Sequence, residues 1–255
     1  MVNRNKRKKK SQASRTRSKV DLGQIKSMYQ AGQLTNALPL VRQIVSSQTT
    51  DLDLLNIAGL LELQVGSSKH AIDWFSSVHK QIPENPDVSD NLGSSYCAAG
   101  YYYKAQKQFE TLLKAYPERL QAWCNLGSAR SKLGNTDGAR QAYKTALDLD
   151  PNFIPALTNL ALLEGQSGAR DVALDLYHEI LLRHPTDGEV YSDLSRFKTF
   201  TPNDPDVVKM EKLIGSDFIS SRDRMYLGYA LAKAYEDIGQ LDKSFEYLNS
   251  ASAFK

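Results

Sequence analysis

Glycine recurs every 34 residues along most of this chain, at Gly32, Gly66, Gly100, Gly134 and Gly168. Alanine keeps the same interval at Ala37, Ala71, Ala105, Ala139 and Ala173. Proline follows it at Pro83, Pro117, Pro151 and Pro185, and an aromatic ring at Phe75, Phe109, Tyr143 and Tyr177. Glycine fills 15 of 255 positions, so four further glycines in register arise by chance on the order of once in 100,000. A period of this length commits the chain to a repeat architecture, in which each unit buries its apolar face against the next.

The residue types say what each unit is. A glycine at a helix end supplies the left-handed residue that turns the chain back, so each period is expected to be two antiparallel helices. The alanine falls where those helices cross closely. The aromatic, four residues further along the second helix, shares its face and is expected to fill the groove toward the neighbouring unit. The proline lacks an N–H and stops the second helix, while Asn85-Pro86-Asp87 and Asp150-Pro151-Asn152 supply caps or turn starts.

With Trp123, Leu126 and Gly127 in one unit and Leu92, Gly93 and Tyr96 in the unit before it, the chain closely resembles the tetratricopeptide repeat. Leu157, Leu160 and Ala161 fit the same pattern, as do Leu55, Ala58 and Gly59. The resemblance covers roughly residues 18–200 and implies an all-α fold, a right-handed α-solenoid of tetratricopeptide-type helical hairpins. Its units are 18–51, 52–85, 86–119, 120–153 and 154–187, with a partial one at 188–200. The first is degenerate beyond Gly32 and Ala37. After the partial unit, Thr201-Pro202-Asn203-Asp204-Pro205 interrupts the pattern, and residues 201–255 read as a connector helix and a terminal repeat-like hairpin. The runs Pro205-Asp206-Val207, Asp223-Arg224 and Ala230 to Gly239 resemble the connector of bacterial tetratricopeptide-repeat sulfotransferases. In that family a catalytic domain with a phosphosulfate loop follows, and these 255 residues contain no such loop.

Charge divides the chain differently. The 32 Lys and Arg outnumber the 29 Asp and Glu by three. Nine of the bases, Arg4, Lys6, Arg7, Lys8, Lys9, Lys10, Arg15, Arg17 and Lys19, stand in the first twenty residues, which hold no acid. The remaining 23 bases and 29 acids make residues 21–255 an acidic body of net charge −6. Residues 1–17 lack the apolar surface to offset ordering entropy and are expected to be a disordered basic arm. Clustered Lys and Arg suit phosphates or an acidic surface through counterion release; a solubilising tail without a dedicated partner is the alternative. No apolar run reaches the roughly eighteen residues of a membrane span, and no apolar stretch follows the basic start as in a secretory signal. A cytoplasmic protein is the expectation.

Catalytic constellations are missing: no Walker loop, no Gly-x-Gly-x-x-Gly after a strand, no His-Glu-x-x-His. His70, His79, His178 and His184 lack the i, i+4 pairing of a helical metal site. Cys97 and Cys124 lie on first helices of adjacent units and read as reduced structural thiols. No metal, cofactor or catalytic residue is therefore assigned. What remains is a surface. First helices line the concave face of such a solenoid, and Asn91, Asn125 and Asn159 recur there at the repeat spacing, with Asp193 in the next place. An amide both donates and accepts, so these asparagines suit the backbone of an extended peptide; equally, they suit a bond between neighbouring helices. Further groove positions are Asp90, Ser94, Ser128, Lys132 and Thr158, with Cys97, Cys124, Ser131 and Leu162. Tyr101-Tyr102-Tyr103 is expected to pack at inter-repeat edges. The first reading is a protein-interaction scaffold binding a peptide segment or partner helix. The second is the substrate-recognition arm of a sulfotransferase using phosphoadenosine phosphosulfate, and the third is nucleic-acid binding through the arm.

Overall fold

A computed structural model describes residues 22–45 and 51–252. The basic arm predicted for residues 1–17, with Arg4, Lys6, Arg7, Lys8, Lys9 and Lys10, lies outside them. Among the described residues all regular structure is helical. The chain divides into two compact units at Pro117 and Glu118. The first contains α1 (Leu22–Gln30), α2 (Leu34–Val45), α3 (Leu52–Gln64), α4 (Ser68–His79), α5 (Pro86–Ala98) and α6 (Tyr102–Ala115). The second contains α7 (Leu120–Lys132), α8 (Thr136–Leu149), α9 (Ile154–Gln166), α10 (Arg170–Arg183) and α11 (Gly188–Ser195), then α12 (Pro205–Ile214), α13 (Ser221–Asp237) and α14 (Leu241–Ser252).

The periodic glycine acts as expected. At Gly134 φ is +78°, a region an L side chain enters only with strain. Its N–H donates to the Ser131 carbonyl at 3.0 Å, and the next N–H, of Asn135, donates to the Arg130 carbonyl at 2.9 Å. These two bonds close the Schellman turn and satisfy carbonyls that the end of α7 leaves open. The same pair of bonds recurs at Gly32, Gly66, Gly100, Gly168 and Gly239. Second helices stop just short of their prolines: α6 ends two residues before Pro117, α8 before Pro151 and α10 before Pro185. Asn85 caps α5 by accepting from the N–H groups of Asp87 and Val88 at 3.0 and 3.2 Å, with Pro86 in the first turn.

The periodic alanines are fully buried, and within each of three hairpins a first-helix glycine also lies closely against the aromatic ring. A Cβ on Gly59 would stand 2.6 Å from Phe75, and one on Gly93 would stand 2.7 Å from Phe109. Gly127 receives Tyr143 in the same way. The ring also meets the following hairpin, Phe75 with Leu92 of α5 and Tyr143 with Leu160 and Leu163 of α9. Phe75 and Tyr143 therefore each join their own two helices and the following hairpin at once.

In the second unit the regular pattern changes after α11. The position in register with the turn glycines is Pro202, which has no N–H to close such a turn, and the left-handed residue is Asn203, at φ +65°. A network of ions fastens the altered connection. Lys198 donates to Asp204 at 2.8 Å and to Asp206 at 2.6 Å; Asp206 is also 2.8 Å from His178 Nε2 on α10. Lys233 of α13 donates to the Lys198 carbonyl at 3.0 Å, and Asp237 accepts from the Phe200 N–H at 3.0 Å. Burial opposes ionisation of Asp206, but the bonds from Lys198 and His178 outweigh it, and its carboxyl falls to about 2. The folded-state value lies below the unfolded one. Its stabilisation, on the order of 2 kcal/mol, is therefore complete above pH ~4 and is lost as pH falls from there toward 2. Hydrogen exchange should show residues 198–214 opening across that interval in the native chain, and Asp206→Asn should show them already loosened at neutral pH.

Candidate partner-binding groove

Ser128, Ser131 and Lys132 stand at i, i+3 and i+4 along α7 and share one face. Asn159 and Leu162 present the corresponding face of α9, the first helix of the next hairpin. These five, with Tyr143 of α8, line a pocket of about 100 Å³. The Ser128 hydroxyl donates to the Cys124 carbonyl at 3.1 Å and lies 3.3 Å from the Tyr143 hydroxyl. Lys132 is exposed. The pocket thus combines hydroxyls, an amide and an ammonium with the flank of a leucine, a mixture suited to a peptide backbone and one side chain.

The three periodic asparagines have different surroundings. Asn159 lines the pocket, and its Nδ2 donates to Cys124 Sγ at 3.0 Å, tying α9 to α7. It therefore has the helix-holding role and a place at the groove together. Asn125 accepts from Gln121 Nε2 at 3.0 Å, within its own helix. Asn91 lies on α5 in the first unit, half-exposed, as does Ser94. Asp90 is only 9% exposed, so it offers little surface to a partner. Thr158 is half-buried beside Asn159 without lining the pocket. Asp193 accepts from Arg196 at 3.3 Å, and burial raises its carboxyl above the usual range.

Cys97 and Cys124 are free thiols. Burial pushes Cys97 up to about 11; it also raises Cys124, against the pull of the Asn159 bond. Neither is a ready thiolate. Of the tyrosine triplet, Tyr102 is half-buried while Tyr101 and Tyr103 are exposed, with Lys104 5.4 Å from the Tyr101 ring centre and Lys107 5.7 Å from that of Tyr103.

Two features escape a reading by period alone. Glu62 on α3 and Glu164 on α9, three repeats apart, are buried carboxylates, each held by an arginine from the preceding hairpin. Arg42 reaches Glu62 with two bonds of 2.7 Å, and Arg140 reaches Glu164 with bonds of 2.5 and 3.1 Å. Burial alone would raise the Glu62 carboxyl; the Arg42 bonds reverse this and leave it lowered. At Glu164 the Arg140 bond dominates and lowers it outright. The spacing of three repeats between the two glutamates was the available signal, but Tyr96 and Arg130 occupy the intervening places.

Residues 120–153, the hairpin of α7 and α8, match the family model of the tetratricopeptide repeat. This is a tetratricopeptide-repeat fold. Solved structures of other proteins are similar to it. A tetratricopeptide repeat protein from Parabacteroides merdae superposes with a TM-score of 0.67 over 91% of each chain at 18% identity. MamA from Desulfovibrio magneticus RS-1 gives 0.57 at 20% identity, covering 64% of this chain and 93% of that one. MamA AMB-1 gives 0.54 at 24% identity, covering 62% and 94%. At these identities the likeness concerns the fold. No curated protein matches the chain in sequence. The tetratricopeptide fold is consistent with a protein-interaction scaffold, and none of these comparisons carries the resemblance to sulfotransferases. Among the described residues no helix is long and apolar enough to cross a membrane.

Proposed function

We propose that this chain is a non-enzymatic, cytoplasmic scaffold that binds a peptide segment or helix of another protein in the groove of its first helices. The observation that carries the reading is the pocket between α7 and α9, which gathers Ser128, Ser131, Lys132 and Asn159 over Tyr143. A groove held by a helix-to-helix bond such as that from Asn159 to Cys124 is largely preformed, which keeps the ordering cost on the partner's side. Lys132 favours an acidic group on the bound segment at that point. Asn125 and Thr158 extend the contact surface of this unit in this reading, and on the first unit, taken by itself, Asn91, Ser94 and Asp90 are the corresponding proposed contacts. No observation among the described residues favours a sulfotransferase arm or nucleic-acid contact through the basic arm.

The test uses a peptide selected on the full-length chain from a displayed library. Ser131→Trp, which fills the pocket, should weaken its binding at least about tenfold, and Lys132→Ala should weaken it less and make it insensitive to salt. Val172→Ser, an exposed substitution elsewhere on the unit, should leave the affinity unchanged. Binding indifferent to both Ser131→Trp and Lys132→Ala would refute the groove.

A further inference from the structure

Phe218 is 97% exposed, on a connection between α12 and α13 that is firmly held. Arg224 of α13 donates from Nη1 to the Ile214 carbonyl at 2.8 Å and from Nη2 to the Ser216 carbonyl at 2.9 Å. The Ser216 hydroxyl accepts from the Phe218 N–H at 3.2 Å. On the other side Ile219 is buried in the core, and Ser220 caps α13 by accepting from the Asp223 N–H at 3.0 Å. The guanidinium fork, the inserted isoleucine and the helix cap fix the backbone on both sides of the ring. The phenyl is thus presented to solvent by a constrained turn. A single exposed apolar side chain needs no explanation by itself, so the argument rests on what the same unit offers to receive it.

A pocket of about 370 Å³ opens on this unit, lined by His178, Leu181, Leu182, Pro185, Tyr191 and Lys209. Leu182 stands at its rim, 85% exposed. The walls are the leucines, the proline and the tyrosine ring, and the volume accommodates a phenyl group. Its one cation is Lys209, 3.4 Å from Asp206 Oδ1, and His178 stands beside it with Nε2 2.8 Å from Asp206 Oδ2. The residue immediately before Phe218 is Asp217, also exposed. An acid followed by an aromatic on one turn thus matches an apolar pocket of sufficient volume with a lysine at its edge, in size and in charge.

We propose that the Asp217-Phe218 turn of one copy seats in this pocket of a second copy, the ring against Leu181, Leu182, Pro185 and Tyr191 and the carboxylate toward Lys209. The occupant is a second copy because this chain presents the matching knob, preorganised and unfilled by its own pocket. Knob and pocket on one molecule are the elements of self-association, and an anchor held rigid in the free protein loses little freedom on docking. The contact shares no residue with the groove between α7 and α9. Its small area implies a weak association, on the order of micromolar.

Sedimentation velocity of the full-length chain over a concentration series tests this. The native chain should associate with rising concentration. Phe218→Ser and Leu182→Glu, both at exposed positions and checked for native helicity, should each weaken association about thirtyfold or more. An equimolar mixture of the two variants should recover a heavier species, since the pocket of the first and the knob of the second are intact. A native chain that stays monomeric, including one that binds only a foreign Asp-Phe peptide, would overturn the proposal. So would association unaffected by Phe218→Ser, or a mixture that stays monomeric.

Discussion

Truncating Phe109 to alanine should destabilise the first unit by about 3–5 kcal/mol, the range for removing a large buried aromatic. Phe109 is fully buried, and its ring lies against Gly93 so closely that a single added methyl there would stand 2.7 Å away. The glycine has no side chain with which to fill the void, so relaxation is limited. The complementary lesion is Gly93→Ala, which pushes the ring from its seat and should cost about 1–3 kcal/mol. The decisive variant combines Gly93→Ala with Phe109→Leu. If ring and glycine are one interlocked feature, the pair should be less destabilised than the sum of its two single changes in denaturant titration. Strict additivity would mean that Gly93 is tolerated for some reason other than the ring.

The second large effect is expected at Arg140. Its side chain grips Glu164 with two bonds and so ties α8 to α9. Arg140 also contacts Asp137, but that carboxylate is solvated and contributes little. Arg140→Ala leaves Glu164 charged, buried and without its principal partner. Breaking a fully buried pair costs about 3–5 kcal/mol; the partial exposure of Arg140 reduces this to about 2–3 kcal/mol. The pH dependence should also change sign. In the native chain the Glu164 carboxyl is lowered by Arg140, so its stabilisation is present above the ordinary carboxylate range and is lost as pH falls. Without Arg140, burial is opposed only by the weaker pull of Lys144 and the Ser167 bond; the carboxyl is then expected to rise, and stability to decline as pH rises through that raised value. Denaturation midpoints at neutral and mildly acidic pH read the reversal. Arg140→Met with Glu164→Leu should recover most of the loss.

These two sites also mark what a sequence of this kind makes legible. The Gly-to-Gly interval located the hairpin turns and their left-handed residue, because a left-handed C′ residue is a backbone requirement and glycine meets it cheaply. The aromatic was legible as buried, yet its seat on Gly93 depends on a second period, 16 residues out of phase, that acts only in three dimensions. Arg140 and Glu164 are 24 residues apart and belong to different units of the period, so no register links them. In the second unit, Pro202 announces that the regular turn fails, but not that Asn203 takes over its left-handed conformation or that Lys198 and Asp206 fasten the new connection. For the groove, residue type and phase single out Ser128, Lys132 and Asn159, which line one pocket. They do not give the burial of Asp90, which depends on neighbours that phase does not describe. They also treated the asparagines as equivalent, whereas Asn125 bonds within its helix and Asn159 bonds across to Cys124.

The groove reading is tested most directly by photo-crosslinking in cells that make the protein. A benzophenone amino acid placed at Ser131 faces the pocket; one placed at Val172, half-exposed on α10, lies outside its lining. The Ser131 probe should capture a defined protein through a single short segment, and that capture should fall away when Asn159→Ala or Lys132→Ala is added. The Val172 probe should capture none of it. Equal capture by the two probes, or capture by Val172 alone, would contradict a partner seated between α7 and α9.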